Sequence, residues 1–191
     1  MSETVKLSNV ASTGSVDWVQ RYAPLIPHTR PVLDLACGKG RHTRYLLNEG
    51  YSVVALDKDV RGLDDILGEP NLKIVEADLE AGGAFPLKDM NFAGIVVVNY
   101  LYTALFVDLI DALAVDGVLI YQTFMRGNEA FGRPRNPNFL LKKNELKDAF
   151  GKHLKVIAFE QGYIEYPEPA MIQKICAVKQ KMSTIASGPI N

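Results

Sequence analysis

The chain has 191 residues, 48% of them hydrophobic and 23% charged. That is the length and balance of one globular domain able to bury a core without disulfides. Its 21 Lys and Arg against 22 Asp and Glu leave a net charge of -1, which removes the electrostatic basis for tight, sequence-independent nucleic-acid binding. Cys37 and Cys176 are too few for a disulfide framework and lack metal-ligand spacing, so a reducing cytoplasm is expected and no metal site. The most apolar run, 95–98, stops at Asn99, and the start of the chain carries Glu3 and Lys6 with no apolar stretch. A membrane span needs roughly 20 apolar residues, so none is expected.

Short apolar runs alternate with stretches of helical period, the pattern of a parallel α/β sheet. An amphipathic helix is expected over 16–22. Residues 31–36 read as the first buried strand and 42–48 as a helix ended by Gly50. A strand follows at 52–56, then a helix at 60–67 closed by Gly68, and a third strand at 72–76. Residues 92–99 are apolar almost throughout, as a strand covered on both faces must be. A helix over 103–114 leads through Asp116-Gly117 into a strand at 118–124. Residues 126–140 form a long connection rich in Gly, Asn, Arg and Pro; connections of that length in compact domains tend to be functional. A helix over 143–150 has Gly151 as its C-cap. The last strands, 154–159 and 172–179, have no helix between them and read as an antiparallel hairpin at the sheet edge. One domain is expected, ordered over 16–180, with 1–15 and 183–191 frayed.

The most informative stretch is Val-Leu-Asp-Leu-Ala-Cys-Gly-Lys-Gly-Arg-His-Thr at 32–43: a strand, a tight glycine turn and a helix start. Gly38 and Gly40 allow backbone conformations that a side chain would block, and they let a ligand approach closely. The free amides of the following helix add positive potential. The next strand ends Val-Val-Ala-Leu-Asp, which puts the Asp57 carboxylate at the C-terminal rim, where it can accept from ribose hydroxyls. A dinucleotide fold would want a third helix glycine, and Thr43 stands there instead. It would also leave the strand apolar where this chain has Asp34. Asp78 follows strand three in Glu-Ala-Asp-Leu.

These strings resemble class I S-adenosylmethionine-dependent methyltransferases. Within that superfamily they look most like the small tellurite-resistance-type and related uncharacterised enzymes, which share the Gly-Arg-His-Thr helix start and an upstream Trp-x-x-Arg-Tyr segment, here Trp18 to Tyr22. The resemblance spans roughly 18–179. It implies a Rossmann-like seven-stranded sheet, mostly parallel with an antiparallel edge hairpin and helices on both faces. It implies S-adenosyl-L-methionine as cofactor and S-adenosyl-L-homocysteine as product. Ala36 departs from the family, which often has glycine there.

By the same resemblance Asp34 would lie under the methionine end of the cofactor. Ala36, Cys37, Gly38 and Gly40 would form a backbone wall, with His42 beside them. Asp57 would hold the ribose with Lys58 next to the adenine, Asp78 would take the adenine amine, and Leu79 would lie on the ring. Asn99 would face the methionine end, Tyr100 and Tyr102 the methyl group, and Arg21 with Tyr22 the methionine carboxylate. Plain structural readings stand beside these: a helix N-cap for Asp78, a buried spacer for Cys37, a structural role for His42 and core packing for Tyr100 and Tyr102.

The long connection leaves strand five at the rim where the ligand crevice of an open α/β sheet lies. It is expected to roof an acceptor pocket, with Glu129 as its only candidate base and Arg133 or Arg126 binding an anionic group; the competing reading is a surface loop packed by its own aromatics. The Asp/Asn-Pro-Pro-aromatic tetrad of nucleobase amine methyltransferases is absent, Asn-Tyr-Leu-Tyr standing at 99–102. With the neutral charge this favours a small-molecule acceptor, methylated by direct in-line transfer. A catalytically inert cofactor-binding module shares every cofactor residue, and a dinucleotide-dependent oxidoreductase is the remaining alternative.

Overall fold

The computed structural model describes residues 16–181; the ends expected to fray lie outside them. The sheet has seven strands in the order β3-β2-β1-β4-β5-β7-β6. They are β1 (Val32–Leu35), β2 (Val53–Asp57), β3 (Leu72–Glu76), β4 (Phe92–Val98), β5 (Leu113–Phe124), β6 (Lys155–Ile164) and β7 (Ala170–Val178). Neighbours from β3 to β5 pair in parallel, and β7 runs antiparallel to both β5 and β6. The expected edge hairpin is therefore present, and its second strand is inserted between the first and the rest of the sheet.

Every residue of β1 and β4 is buried, because helices cover both faces. Leu33, Leu35, Ile95 and Val97 point to one face and pack with Phe106 and Leu109 of α3 (Phe106–Ala112) and with Leu146 and Phe150 of α4 (Glu145–Phe150). Val32, Val53, Val96 and Val98 point to the other, under Trp18 and Val19 of α1 (Asp17–Tyr22) and Leu46 of α2 (Arg41–Asn48). The two-residue side-chain period of a strand produces this division.

Three elements differ from the sequence expectation. The helix expected over 60–67 is a 3-10 segment, Arg61–Ile66. It is pulled tightly against the glycine turn, and a Cβ on Gly62 would lie 2.8 Å from the Lys39 Cα. The helix expected over 103–114 opens as a 3-10 turn, continues as α3 and stops at Ala112. Leu113 already pairs with Phe92, so β5 begins five residues early and Asp116-Gly117 forms an irregularity inside it. Asp116 takes φ +65° there, and its amide donates to the Lys179 carbonyl at 2.7 Å. The hairpin strands are also longer than their apolar runs, because their outer ends pair beyond the core through Gly162↔Ile172 to Ile164↔Ala170. No helix among the described residues is long and apolar enough to cross a membrane.

Candidate functional site

β1 delivers the chain into a turn with three left-handed residues, Ala36 (φ +54°), Gly38 (φ +55°) and Gly40 (φ +72°). The turn is tied to β2, because the Cys37 amide donates to the Leu56 carbonyl at 3.1 Å and the Gly38 amide donates to Asp57 Oδ2 at 2.8 Å. Asp57 Oδ1 accepts from the Asp59 amide at 3.1 Å. Each carboxylate oxygen keeps a second lone-pair site for a further donor. Gly38 has nothing within 4 Å of where a Cβ would stand, so the space over the turn is open. Gly40 is different in kind: a Cβ there would run into the Leu63 side chain and come within 2.8 Å of Arg44 Nη1. It is the close-approach glycine between α2 and the 3-10 segment.

Asp34 is buried behind the turn, and Thr43 Oγ1 donates to its Oδ2 at 2.6 Å. Burial raises its carboxyl from 3.8 to about 7, against the opposing pull of the Thr43 hydrogen bonds and Arg41. His42 is also buried, and its Nε2 accepts from the Val16 amide at 3.5 Å. Burial and the Arg41 charge lower it to about 3, so it is a neutral, structural imidazole at neutral pH. The Cys37 thiol is pushed upward by burial and by the Asp34 and Asp57 charges. It packs with Ala55, Leu63 and Ile66, which is the position of a spacer.

A cleft of about 310 Å³ opens beyond the turn. Asp57 and Lys58 form one wall, Asp78 and Leu79 the next, and Ala36, Asn99 and Tyr100 the third. Ala77 and Glu80, which sequence reasoning did not single out, complete it. Asp78 Oδ1 accepts from the Glu80 amide at 2.9 Å, closing a local turn that presents both carboxylates. Asn99 ends β4 in a left-handed conformation (φ +59°), and its amide donates to the Gln122 carbonyl. The Tyr100 carbonyl accepts from the buried Tyr121 hydroxyl at 3.0 Å, and burial with Glu80 nearby raises the Tyr100 phenol.

A second cavity of about 430 Å³ meets the first at Asn99. Gln122 and Phe124 of β5 and Arg41 of α2 form its base. Asn128, Phe131 and Arg133 of the long connection stand on one side, with Ile164, Glu168 and Ile172 of the edge hairpin opposite.

Several expected residues sit elsewhere. Tyr102 packs against the core cluster around Leu101 and lines neither cavity. Arg21 faces β6 and pairs with Glu160 at 3.8 Å, while Tyr22 packs edge-on against Trp18 with ring centroids 4.6 Å apart. Neither lines the cleft, because α1 spends its inward face on Trp18 and Val19. Glu129 Oε2 accepts from its own loop at the Gly127 amide, 2.8 Å away, and does not line the cavity. Its neighbour Asn128 does, with 2% exposure, accepting from the Met171 amide at 3.1 Å. Arg126 is outside both cavities; its amide donates to Leu141, beside the bridge that pins Met125 to that residue. Arg41 lies inside the sequence motif between Gly40 and His42 and lines the second cavity, a position that the local pattern of glycines does not reveal.

The family model for tellurite resistance protein TehB matches residues 19–161. The chain belongs to the TehB family. Among solved structures this TehB-family chain is similar to TehB from Haemophilus influenzae, with 21% identity and a TM-score of 0.64 over 86% of this chain and 62% of that one. It therefore spans less than two thirds of that relative. A TehB-like S-adenosylmethionine-dependent methyltransferase from Corynebacterium glutamicum aligns with 17% identity and TM-score 0.60, over 85% and 87% of the two chains. The Burkholderia thailandensis 1,6-didemethyltoxoflavin-N1-methyltransferase, solved with 1,6-didemethyltoxoflavin and S-adenosylhomocysteine, aligns with 18% identity and TM-score 0.61, over 86% and 76%. No curated protein matches the chain in sequence. These likenesses give the TehB-family chain the class I methyltransferase fold.

Proposed function

We propose that the chain is an S-adenosylmethionine-dependent methyltransferase that acts on a small-molecule acceptor. The observation that carries this reading is the shared Asn99, which lines both the cleft under the glycine turn and the larger cavity beside it. Two ligands held in adjoining spaces are what a direct transfer between them requires.

The donors fit an adenosine. Asp57 retains acceptor capacity at the rim for the ribose hydroxyls, Asp78 offers a carboxylate to the adenine amine, and Leu79 offers apolar contact to the ring. Lys58 stands beside them. Ala36 and Asn99 then face the methionine end, over the open space at Gly38. S-adenosylmethionine supplies an activated methyl group when bound. The protein's part is to orient the acceptor in line and to exclude water. Tyr100 lines the cleft next to Asn99, and its phenol stays protonated because burial and Glu80 raise it; it serves there as a donor or an apolar wall.

Calorimetry with S-adenosylhomocysteine and with NAD tests the reading. Binding of the first, with much weaker binding of the second, is expected. Tighter binding of the dinucleotide overturns it.

A further inference from the structure

The proposed acceptor cavity has the volume of a small-molecule site and a mixed apolar and cationic lining. Its volume of about 430 Å³ lies within the roughly 300–1,000 Å³ range of small-molecule sites. Phe124, Phe131, Ile164 and Ile172 supply apolar walls, and the polar side chains Gln122 and Asn128 lie between them. A compact inorganic oxyanion would leave most of that space open and meet walls with which it has no favourable contact.

Two guanidiniums face this space. Arg41 is partly buried on the first turn of α2, and Arg133 projects from the long connection. Among the described residues neither makes an ion pair or a hydrogen bond through its side chain. Arg41 lies in the fields of Asp34 and His42 but is bonded to neither. Elsewhere Arg44 reaches Asp65 and Arg61 pairs with Asp59, while Arg30, Arg126 and Arg135 are exposed to solvent, where a free guanidinium costs nothing. A partly buried guanidinium without an acceptor carries a desolvation cost that an anionic ligand removes. Among the described residues Glu168 is the only carboxylate on the cavity wall, so there two guanidiniums face one carboxylate. Arg41 also lines an adjoining space of about 310 Å³ that runs past Tyr166 toward Trp18 and Lys174, which gives an elongated ligand room beyond the first cavity.

We propose that the acceptor is an aromatic organic acid whose carboxylate is held between Arg41 and Arg133 while its body lies against Phe124, Phe131 and Ile172. This rests on the methyltransferase reading, and it deepens that reading by assigning Arg41 to the acceptor rather than to the glycine turn.

The test uses the full chain saturated with S-adenosylhomocysteine and matched pairs of small probes: benzoate and benzamide, phenylacetate and phenylacetamide, indole-3-acetate and indole-3-acetamide. Dissociation constants come from calorimetry or ligand-observed NMR. At least one carboxylate is expected to bind about tenfold more tightly than its amide, the ratio that one hydrogen-bonded charge gives. Arg133→Ala and Arg41→Ala should each erase most of that ratio and leave S-adenosylhomocysteine affinity within about twofold, while Arg135→Ala, on the same connection but outside the cavity, should change neither. Arg133 is exposed, so its variant reports even if Arg41→Ala folds poorly. No carboxylate preference in any pair, a preference that survives Arg133→Ala, or a loss of S-adenosylhomocysteine binding in Arg41→Ala each overturns the proposal. Failure of S-adenosylhomocysteine to bind the wild-type protein would instead remove the methyltransferase reading on which it rests.

Discussion

Asp57 is the most exacting residue to perturb, because its carboxylate is engaged on both oxygens before any ligand arrives. Oδ2 accepts from the Gly38 amide at 2.8 Å and Oδ1 from the Asp59 amide at 3.1 Å. In the proposed complex the same group accepts from two ribose hydroxyls. Hydrogen bonds to a charged acceptor are worth about 1.5–3 kcal/mol each, and Asp57 is partly exposed, so the lower end applies. Asp57→Ala should therefore cost about 3 kcal/mol of S-adenosylhomocysteine binding, roughly a hundredfold in Kd. It should also cost about 1 kcal/mol of stability, because the Gly38 amide loses its partner at a site that water reaches. Asp57→Asn keeps one acceptor oxygen and should lose about tenfold in affinity, with little change in stability. Calorimetry gives the affinities, and urea denaturation without ligand gives the stabilities. A folded Asp57→Ala protein with wild-type affinity would refute the reasoning, because the ribose would then be held elsewhere. Asn matching Ala in affinity would show that the charge, rather than the accepting oxygens, does the holding.

Three further outcomes follow from the geometry. Gly40→Ala should destabilise the fold by about 2 kcal/mol or more, because it combines a left-handed backbone with a clash on the fully buried Leu63. Gly38→Ala meets open space and should cost only about 1 kcal/mol of backbone strain, so equal denaturation midpoints for the two variants would contradict this. Between pH 4 and 6.5 the native Asp34, raised from 3.8 to about 7, holds a proton that the unfolded chain releases, so its contribution to stability falls as pH rises. His42, lowered from 6.5 to about 3, stays unprotonated in the fold while the unfolded chain takes up a proton, so its contribution rises with pH and nearly offsets the first. Asp34→Asn should then convert a nearly flat stability profile into one that climbs by several kcal/mol across that window, and parallel wild-type and variant profiles in urea titrations would sink the assignment. Asn128→Ala should release the Met171 amide, speeding hydrogen exchange at Met171 and across 127–132 and lowering stability by about 1–2 kcal/mol. Unchanged exchange there would mean that the bridge between Met125 and Leu141 alone holds the connection.

The proposed cofactor side of the site was legible in the sequence because its information is local. The strand, the left-handed glycines and the rim carboxylate occupy 32–57, and parallel pairing of Val32↔Val53 through Leu35↔Leu56 brings them together with no choice of register left open. What was not legible nearby is tertiary. Gly62 looks like a weak helix residue, yet it is where the 3-10 segment 61–66 meets the Lys39 backbone too closely for a side chain. In the long connection residue type points to the Glu129 carboxylate, but one residue of phase in the 3-10 turn Asn128–Ala130 sends Glu129 back to Gly127 and Asn128 inward to Met171.

The second cavity, the proposed acceptor side, is assembled from segments far apart in the chain, with β7 inserted between β5 and β6. Pairing of Phe124↔Ile172 and Gly162↔Ile172 carries the hairpin end past the end of β5, so that 164–172 stands opposite 128–133 across the start of α2 at Arg41. Nothing in the hydrophobic period of 154–179 specifies how far the hairpin projects, because its outer residues pair beyond the core. The arrangement also separates two design problems. The glycine turn and its carboxylates can stay fixed while the residues between Ile164 and Ala170, together with those around Arg133, change the size and charge of the second cavity. Acceptor specificity in this chain should therefore follow the hairpin tip and the long connection, and swapping the tip should alter probe binding while leaving the Asp57-dependent affinity for S-adenosylhomocysteine in place.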